Sequence, residues 1–144
     1  MKIAFINGAN PHIQKYILNH FSSEHQFYLI DDLKESTSEN IKIGTLIKRS
    51  PTEYGPIEMA LKKENIDSFY HFPLMAQNAS PVVIEEALFN QTLGLLKVCD
   101  KLQLKLFAFI MDPQQPEIVY QSTLNMLNKI KLNSSLKIKI ETLL

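Results

Sequence analysis

The sequence predicts a three-layer α/β fold, in which helices cover both faces of a doubly wound parallel sheet. Six short apolar runs alternate along the chain with segments of helical periodicity. Strands that alternate with helices pair in parallel through right-handed crossovers. The chain has 144 residues, of which 45% are hydrophobic, so we expect residues 1–144 to form one globular domain.

The first predicted strand and helix are joined by a short turn. Residues 2–7 form an apolar run that ends at Gly8. Asn10 suits the N-cap of a helix, and Pro11 suits its first position, where a missing N–H costs nothing. The helix is predicted at residues 11–21, because apolar side chains recur there on one face. These side chains are Ile13, Tyr16, Ile17 and Phe21.

The later elements follow from the same signals. Residues 33–40 are polar and predict a loop, whereas Ser80 and Pro81 form a second cap-and-proline start before a long helix. Residues 104–110 are almost wholly apolar, which predicts a strand buried on both faces. The other predicted strands are 26–30, a weaker one at 41–47, 68–72 and 136–140, and the other helices are 56–63, 80–101 and 116–130.

Charge and composition exclude several functions. Fifteen basic and fifteen acidic residues cancel and are scattered, so we expect no nucleic-acid partner. The apolar residues 3–6 are too few for a signal peptide or a membrane span. Cys99 is the only cysteine, so no internal disulfide can form, as expected of a cytoplasmic protein. The four histidines show no metal-ligand spacing, and we expect no metal site.

The first 32 residues have the order of a dinucleotide-binding fold. A strand, a glycine turn, a helix and a second strand are followed by Asp31 and Asp32. In such folds the first turn binds the pyrophosphate, and the acid after the second strand binds the ribose hydroxyls. Gly8 therefore serves either the phosphate turn or only a tight connection. Asp31 either binds ribose or is a polar strand end that faces solvent.

Five fragments of the sequence, in their order and spacing, resemble one family. They are residues 3–9, Asp31-Asp32, Gly44-Thr45-Leu46, His71-Phe72-Pro73-Leu74, and Thr92 with Leu95-Leu96. The chain is similar to the extended short-chain dehydrogenases/reductases, the NAD-dependent epimerase/dehydratase group. The likeness covers nearly the whole chain but only the nucleotide-binding half of the family. It implies a Rossmann-like fold with the strand order 3-2-1-4-5-6.

The resemblance also implies which residues would hold NAD or NADP if the site still functions. The turn and helix start would contact the pyrophosphate, the acids the ribose, and the later segments the adenine and the nicotinamide ribose. These candidate cofactor-binding residues are Gly8, Asn10, His12, Ile13, Asp31, Asp32, Thr45, Phe72 and Pro73.

The departures from the family pattern fall on its functional positions. Pro11 and Gln14 replace the second and third glycines of the turn, and proline also removes an N–H donor. Asp112 stands where the family has a catalytic serine. Tyr120 holds the place of the catalytic tyrosine, but Leu124 replaces its lysine. Without that cation we expect Tyr120 to keep a pKa near ~10 and to be a poor base, so no catalytic residue is assigned.

Two functional hypotheses follow from this pattern. The first is a non-catalytic protein on a dehydrogenase-like scaffold, with a degraded dinucleotide site and no tightly bound cofactor, that binds a ligand or a protein partner. The alternative is an atypical NAD(P)-dependent oxidoreductase or a sugar-nucleotide epimerase-like enzyme with altered catalytic residues. We favour the first, because the lysine and the serine of the family are missing.

The long helix and the helix at 116–130 carry more apolar residues than one buried face requires. Relatives of this fold commonly pair these two helices with their symmetry mates. The resemblance therefore implies a homodimer through helices 80–101 and 116–130. Alternatively, loops of the same chain cover the surplus apolar surface.

Overall fold

The computed structural model describes residues 1–75 and 78–143. Six parallel strands form one sheet in the order β3-β2-β1-β4-β5-β6, which confirms the predicted fold class and strand order. The strands are β1 (Lys2–Ile6), β2 (Gln26–Ile30), β3 (Thr45–Ile47), β4 (Ser68–His71), β5 (Leu106–Met111) and β6 (Lys137–Thr142). The helices are α1 (Pro11–His20), α2 (Tyr54–Lys63), α3 (Pro81–Lys101) and α4 (Gln121–Asn133).

The helices lie on both faces of the sheet, as in a three-layer fold. Successive side chains of a strand point to opposite faces, so β1 places Phe5 against α1 and Ile6 against the layer that contains α2, α3 and α4. Phe5 also stacks on Tyr70 of β4, with ring centroids 5.0 Å apart. The central strands are therefore buried on both sides, and their residues form the core.

The start of α1 forms as its sequence predicts, but its end differs by one residue. The Asn10 side chain accepts a hydrogen bond from the backbone N–H of His12, and Pro11 is the first helical residue. The helix ends at His20 because Phe21 is extended, with a φ of −129°, and its N–H closes the last turn on Ile17.

The third strand is much shorter than the predicted 41–47. Only Thr45–Ile47 pairs with β2, whereas Ile41 and Ile43 pack against the core on the α1 side. Gly44 separates the two parts with a φ of 103°, a conformation that suits glycine. The apolar pattern of this segment therefore reflects two different packing environments.

Two other helices depart from their predicted bounds. Helix α2 begins at Tyr54 rather than at Pro56, because proline is tolerated anywhere in the first turn. The predicted helix 116–130 is a 3₁₀ turn at Glu117–Tyr120 followed by α4, which continues to Asn133. In the described ranges, 1–75 and 78–143, no helix has the length and apolarity needed to cross a membrane.

Candidate functional site

The candidate site lies at the carboxyl edge of the sheet, beside the point where β1 leads to β2 on one side and pairs with β4 on the other. In open parallel sheets this switch point forms the crevice in which ligands bind. Most of the candidate residues meet here, at the ends of β1, β2, β4 and β5. Thr45 does not, because it is the first residue of the edge strand β3, two residues before the carboxyl end of that strand.

The backbone N–H groups of the turn after β1 all donate to acceptors of this chain. The N–H of Gly8 donates to Ile30 O (3.4 Å), that of Ala9 to Asp31 Oδ2 (3.0 Å), that of Asn10 to Asn7 O (3.0 Å) and that of His12 to Asn10 Oδ1 (2.8 Å). Pro11 has no N–H. A phosphate at a helix start is held by such N–H groups, so it would have to displace these acceptors.

Asp31 accepts two backbone hydrogen bonds and is only 3% exposed. Its Oδ2 accepts from the N–H of Ala9 at 3.0 Å, and its Oδ1 accepts from the N–H of Leu33 at 2.8 Å. The expectation of a strand end that faces solvent was therefore wrong for Asp31. Asp32 is half-buried and accepts from the N–H of Lys34 at 3.0 Å.

Gly8 is required by the close approach of the turn to β2. A Cβ on Gly8 would lie 2.7 Å from the Cβ and 2.9 Å from the Cα of Leu29, which is buried in a central strand and cannot move away. The preceding residue, Asn7, has a φ of 58° and donates from Nδ2 to the carbonyl oxygen of Phe72 at 2.6 Å. The tight connection by itself therefore accounts for Gly8.

Gln14 is a buried polar residue that ties α1 to the segment before β3. Its Nε2 donates to the carbonyl oxygens of Gly8 (2.8 Å) and Ile43 (3.2 Å). Its Oε1 accepts from the N–H groups of Lys42 (2.8 Å) and Ile43 (3.1 Å). From the sequence, Gln14 was expected only to replace a glycine of the turn. The signal for this structural role was a glutamine side chain at the position where the resemblance implies glycine.

The other candidates of the turn and of β4 are mostly buried. Ile13 belongs to the core between α1 and the sheet, and Phe72 and Pro73 are buried after β4. His12 is exposed at the edge and lines a cavity of about 290 Å³ together with Phe72 and Asp112. Of the four candidates Ile13, Phe72, Pro73 and His12, only His12 therefore offers an exposed polar side chain.

Tyr120 is 2% exposed, and its hydroxyl accepts a hydrogen bond from the backbone N–H of Asp112 at 2.9 Å. Burial raises the pKa of Tyr120 above its ordinary value, and the hydrogen bond from Asp112 only partly opposes this effect. Leu124, one turn later on α4, is half-buried and carries no charge. The phenol is therefore neutral near neutral pH, and its hydrogen bond holds the end of β5.

His71 is a fully buried residue at the end of β4. Its Nε2 lies 3.1 Å from Thr92 Oγ1, and burial lowers its pKa to about 3. The ring packs against Phe107 and Phe109, so it is neutral and belongs to the core. In the part of the chain that the structure describes, no group of three or more His, Cys, Asp or Glu side chains could hold a metal ion.

No protein-family model matches this sequence, and no curated protein sequence matches it. Solved structures with the same fold are nevertheless numerous. A UDP-glucose 4-epimerase from Thermotoga maritima, with UDP-glucose, superposes with a TM-score of 0.78 at 17% identity; the match covers 97% of this chain and 54% of that one. The UDP-glucose 4-epimerase from Thermus thermophilus, in complex with NAD, gives 0.73 at 17% identity, over 97% and 54%.

A third epimerase, from Brucella ovis in complex with NAD, gives a TM-score of 0.76 at 13% identity, over 98% of this chain and 51% of that one. The chain therefore spans about half the length of these epimerases. At such identities the likeness shows the fold, which is the Rossmann-like α/β fold that they share. The predicted resemblance to the extended short-chain dehydrogenases/reductases is therefore confirmed for the fold.

Proposed function

We propose that this protein is a non-catalytic binding module on a dehydrogenase-like scaffold, with a dinucleotide site that no longer functions. The observation that supports this most directly is the use of the turn N–H groups. Those of Gly8, Ala9, Asn10 and His12 already donate within the chain, and Pro11 has none. A pyrophosphate would break bonds to Asp31 and Asn10 in order to gain its own, so little net binding energy remains.

The catalytic positions support the same proposal. Tyr120 is buried with a raised pKa and lies beside Asp112, while Leu124 stands in the place of the cation that would activate it. Tyr120 therefore has no neighbouring cation that would lower its pKa and allow it to act as a base. We therefore propose that no redox or epimerase step takes place at this edge of the sheet.

Thermal unfolding in the presence of cofactor tests this function. A ligand at a hundred times its Kd stabilises a fold by about 2.7 kcal/mol, a shift that melting curves resolve easily. We expect no clear shift of the melting temperature with millimolar NAD or NADP. A saturable shift at micromolar cofactor would contradict the proposal.

That result would instead support the alternative, an atypical NAD(P)-dependent oxidoreductase or epimerase-like enzyme. The observation that favours it is the fold itself, because structures of two similar epimerases contain NAD. The chain spans only about half of those proteins. An activity would therefore also require a cation and a hydroxyl beside Tyr120, where the described residues place Leu124 and Asp112.

We also propose that the module pairs with a second copy through α3 and α4, and that it functions in the cytoplasm. Val82 is 74% exposed and Ile118 is 59% exposed, and no loop among the described residues covers them. Phe89 and Leu93 are half-buried on the same side of α3. A twofold contact would bury this apolar surface. Cys99 is buried and free, as suits a reducing compartment.

A further inference from the structure

We propose that Asn7 and Gly8, in the turn after β1, form a deamidation site that the folded protein keeps unreactive. An asparagine followed by glycine is especially prone to this reaction, because the second residue has no Cβ that would hinder the approach of its nitrogen. Asn7 and Gly8 are the only such pair in the sequence. The inference concerns the chemistry of the chain itself and does not depend on the function proposed above.

The fold requires both members of this pair. Gly8 has no room for a side chain, since a Cβ there would lie 2.7 Å from the Cβ of Leu29 in the buried strand β2. Asn7 has a φ of 58°, a left-handed conformation that asparagine adopts more readily than most residues. Its Nδ2 also donates to the carbonyl oxygen of Phe72, at 2.6 Å. The turn therefore retains a pair of residues that is labile in an unfolded chain.

The reaction takes place between the side chain of Asn7 and the backbone of Gly8. The Gly8 nitrogen loses its proton to solvent and forms a bond to Cγ of Asn7, while the bond between Cγ and Nδ2 breaks. The Nδ2 group takes up a proton from solvent and leaves as ammonia, and a cyclic imide remains. Water then opens the imide on either side, which gives aspartate or isoaspartate. Water is the only other reactant.

Three features of the folded turn oppose this reaction. Asn7 is only 5% exposed, so solvent base and water have little access to it. Its side chain must turn back toward Gly8 to close the ring, and this movement breaks the hydrogen bond to Phe72. The N–H of Gly8, which must lose its proton, donates to Ile30 O at 3.4 Å. The imide therefore forms only in molecules whose turn has opened, and its rate follows the population of that open state.

Deamidation also marks the molecule irreversibly. A carboxylate at position 7 cannot donate to the carbonyl oxygen of Phe72, and it places a negative charge in a buried position. It also lies in the same turn as the carboxylate of Asp31, which already accepts from the N–H of Ala9. Isoaspartate adds a methylene to the main chain, where the turn approaches Leu29 closely. Molecules that have opened and reacted therefore refold to a less stable state.

Peptide mapping by mass spectrometry provides the test, after the intact protein is incubated in mildly alkaline buffer with and without urea. We expect deamidation of Asn7 to be at least about tenfold slower in the folded protein than in urea. Asn10 lies in the same tryptic peptide and is the internal control, because Pro11 has no N–H that could attack its side chain. Equal rates with and without urea, or more deamidation at Asn10 than at Asn7 in urea, would overturn the inference.

A variant of Gln14 tests whether the turn itself gives the protection. Gln14→Ala removes the side chain that donates to the carbonyl oxygen of Gly8, so deamidation of Asn7 in the folded variant should be at least about fivefold faster. Its rate in urea should equal that of the wild type. Gln121→Ala, at an exposed position of α4, is the control and should react like the wild type in both conditions. No acceleration by Gln14→Ala would also overturn the inference.

The consequence of the reaction is measured with Asn7→Asp, which carries one of its two products. We expect this variant to melt about 5 °C below the wild type, because it loses a donor and buries a charge. Asn90→Asp makes the same chemical change at an exposed position of α3 and should melt within about 2 °C of the wild type. If Asn7→Asp were as stable as the wild type, deamidation would leave no mark on the fold and this part of the inference would fail.

Discussion

At the scale of single residues, polar side chains that bind backbone groups hold the turn at the carboxyl edge of the sheet. Asp31, Gln14 and Asn10 together accept or donate hydrogen bonds along the turn after β1. The N–H groups of Gly8, Ala9, Asn10 and His12 in this turn therefore already have acceptors within the chain.

Gln14→Ala should destabilise the fold by about 1–3 kcal/mol. The substitution leaves the buried carbonyl of Gly8 and partly buried backbone groups of Lys42 and Ile43 without their partner, and a polar group that is kept from water without a partner is costly. Urea unfolding measures the change. Gln121→Ala, at an exposed position of α4, is the control and should change the stability by less than about 0.5 kcal/mol. Equal effects of both variants would show that the Gln14 amide does not support the turn.

The buried His71 should make the fold less stable in acid. Its pKa is lowered by burial to about 3 in the folded protein, against about 6.5 in an unfolded chain. Between these values the unfolded state binds the extra proton, so stability is complete above about pH 6.5 and is lost as the pH falls toward 3. His71→Phe removes this contribution, and its unfolding free energy should change less steeply with pH, by up to about 1.4 kcal/mol per pH unit.

The exposed residue His12 provides the control for that measurement. His12→Phe should leave the dependence of the unfolding free energy on pH as it is in the wild type, because this side chain is exposed on α1. If His71→Phe and the wild type lost stability in parallel between pH 6.5 and pH 4, His71 would not be the group responsible.

At the scale of elements, side-chain contacts join helices to strands and to one another on both faces of the sheet. Helix α1 reaches the edge strand β6 through the Tyr16 hydroxyl, which donates to Glu141, and Lys139 pairs with the same carboxylate. This group of side chains spans the face of the sheet between α1 and β6. On the other face, α2 packs on α3 where Gly94 leaves room for the ring of Tyr54.

Gly94→Ala should destabilise the packing of α2 on α3. A Cβ at this position would lie 2.4 Å from Cζ of Tyr54, so the ring must move and lose its contact with α3. We expect a net loss of about 1 kcal/mol, although alanine is the better helix former. Gly55→Ala on α2 is the matched control, because its Cβ would meet nothing within 4 Å, and it should stabilise by about 0.5–1 kcal/mol.

Whether Gly94→Ala lowers or raises the free energy of unfolding depends on the Tyr54 ring. A double variant tests this dependence. In a Tyr54→Ala background the clash is absent, and Gly94→Ala should then become stabilising through helix propensity alone. Chemical unfolding of the four proteins in this cycle gives the coupling energy. A coupling near zero would mean that the Tyr54 ring does not set the requirement for glycine.

At the scale of the whole molecule, the proposed homodimer would pair the exposed side of α3 with the same side of a second copy. Val82, Glu86, Phe89, Leu93 and Lys97 follow one another at spacings of three or four residues and so share one face. The acid lies toward the start of the helix and the base toward its end, with the apolar pair between them. Two copies placed antiparallel would bring Glu86 opposite Lys97 of the other copy.

Charge reversal tests this assembly. Glu86→Lys and Lys97→Glu should each weaken the homodimer, since like charges then face each other across the twofold axis. An equimolar mixture of the two single variants should form heterodimers that sediment as dimers. Lys62→Glu on α2 is the control and should leave the mass unchanged. A monomeric wild type at micromolar concentration would rule out the homodimer, and dimers unaffected by either reversal would rule out this arrangement.

The sequence by itself determined the architecture of this protein. The alternation of apolar runs with helical patterns, the caps at Asn10 and Ser80, and Gly8 after β1 specified the strands and helices, because these signals are local and periodic. The strand order was implied by the resemblance to a known family, and the sheet has that order. Only element ends moved, and the segment 41–47 divided because its apolar residues serve two packing environments.

Only the tertiary structure decided which polar groups of the candidate site are bonded to one another. Two partners of Gln14, Lys42 and Ile43, lie 28 and 29 residues away, and Asp31 reaches back 22 residues to Ala9. Hydrogen bonds between residues so far apart in sequence cannot be read from local spacing, because many polar side chains of the chain could in principle make them. The burial of Tyr120 likewise depends on tertiary packing, because its ring lies in the core against Phe109. Local patterns specify which elements form, whereas the pairing of buried polar groups depends on how those elements meet.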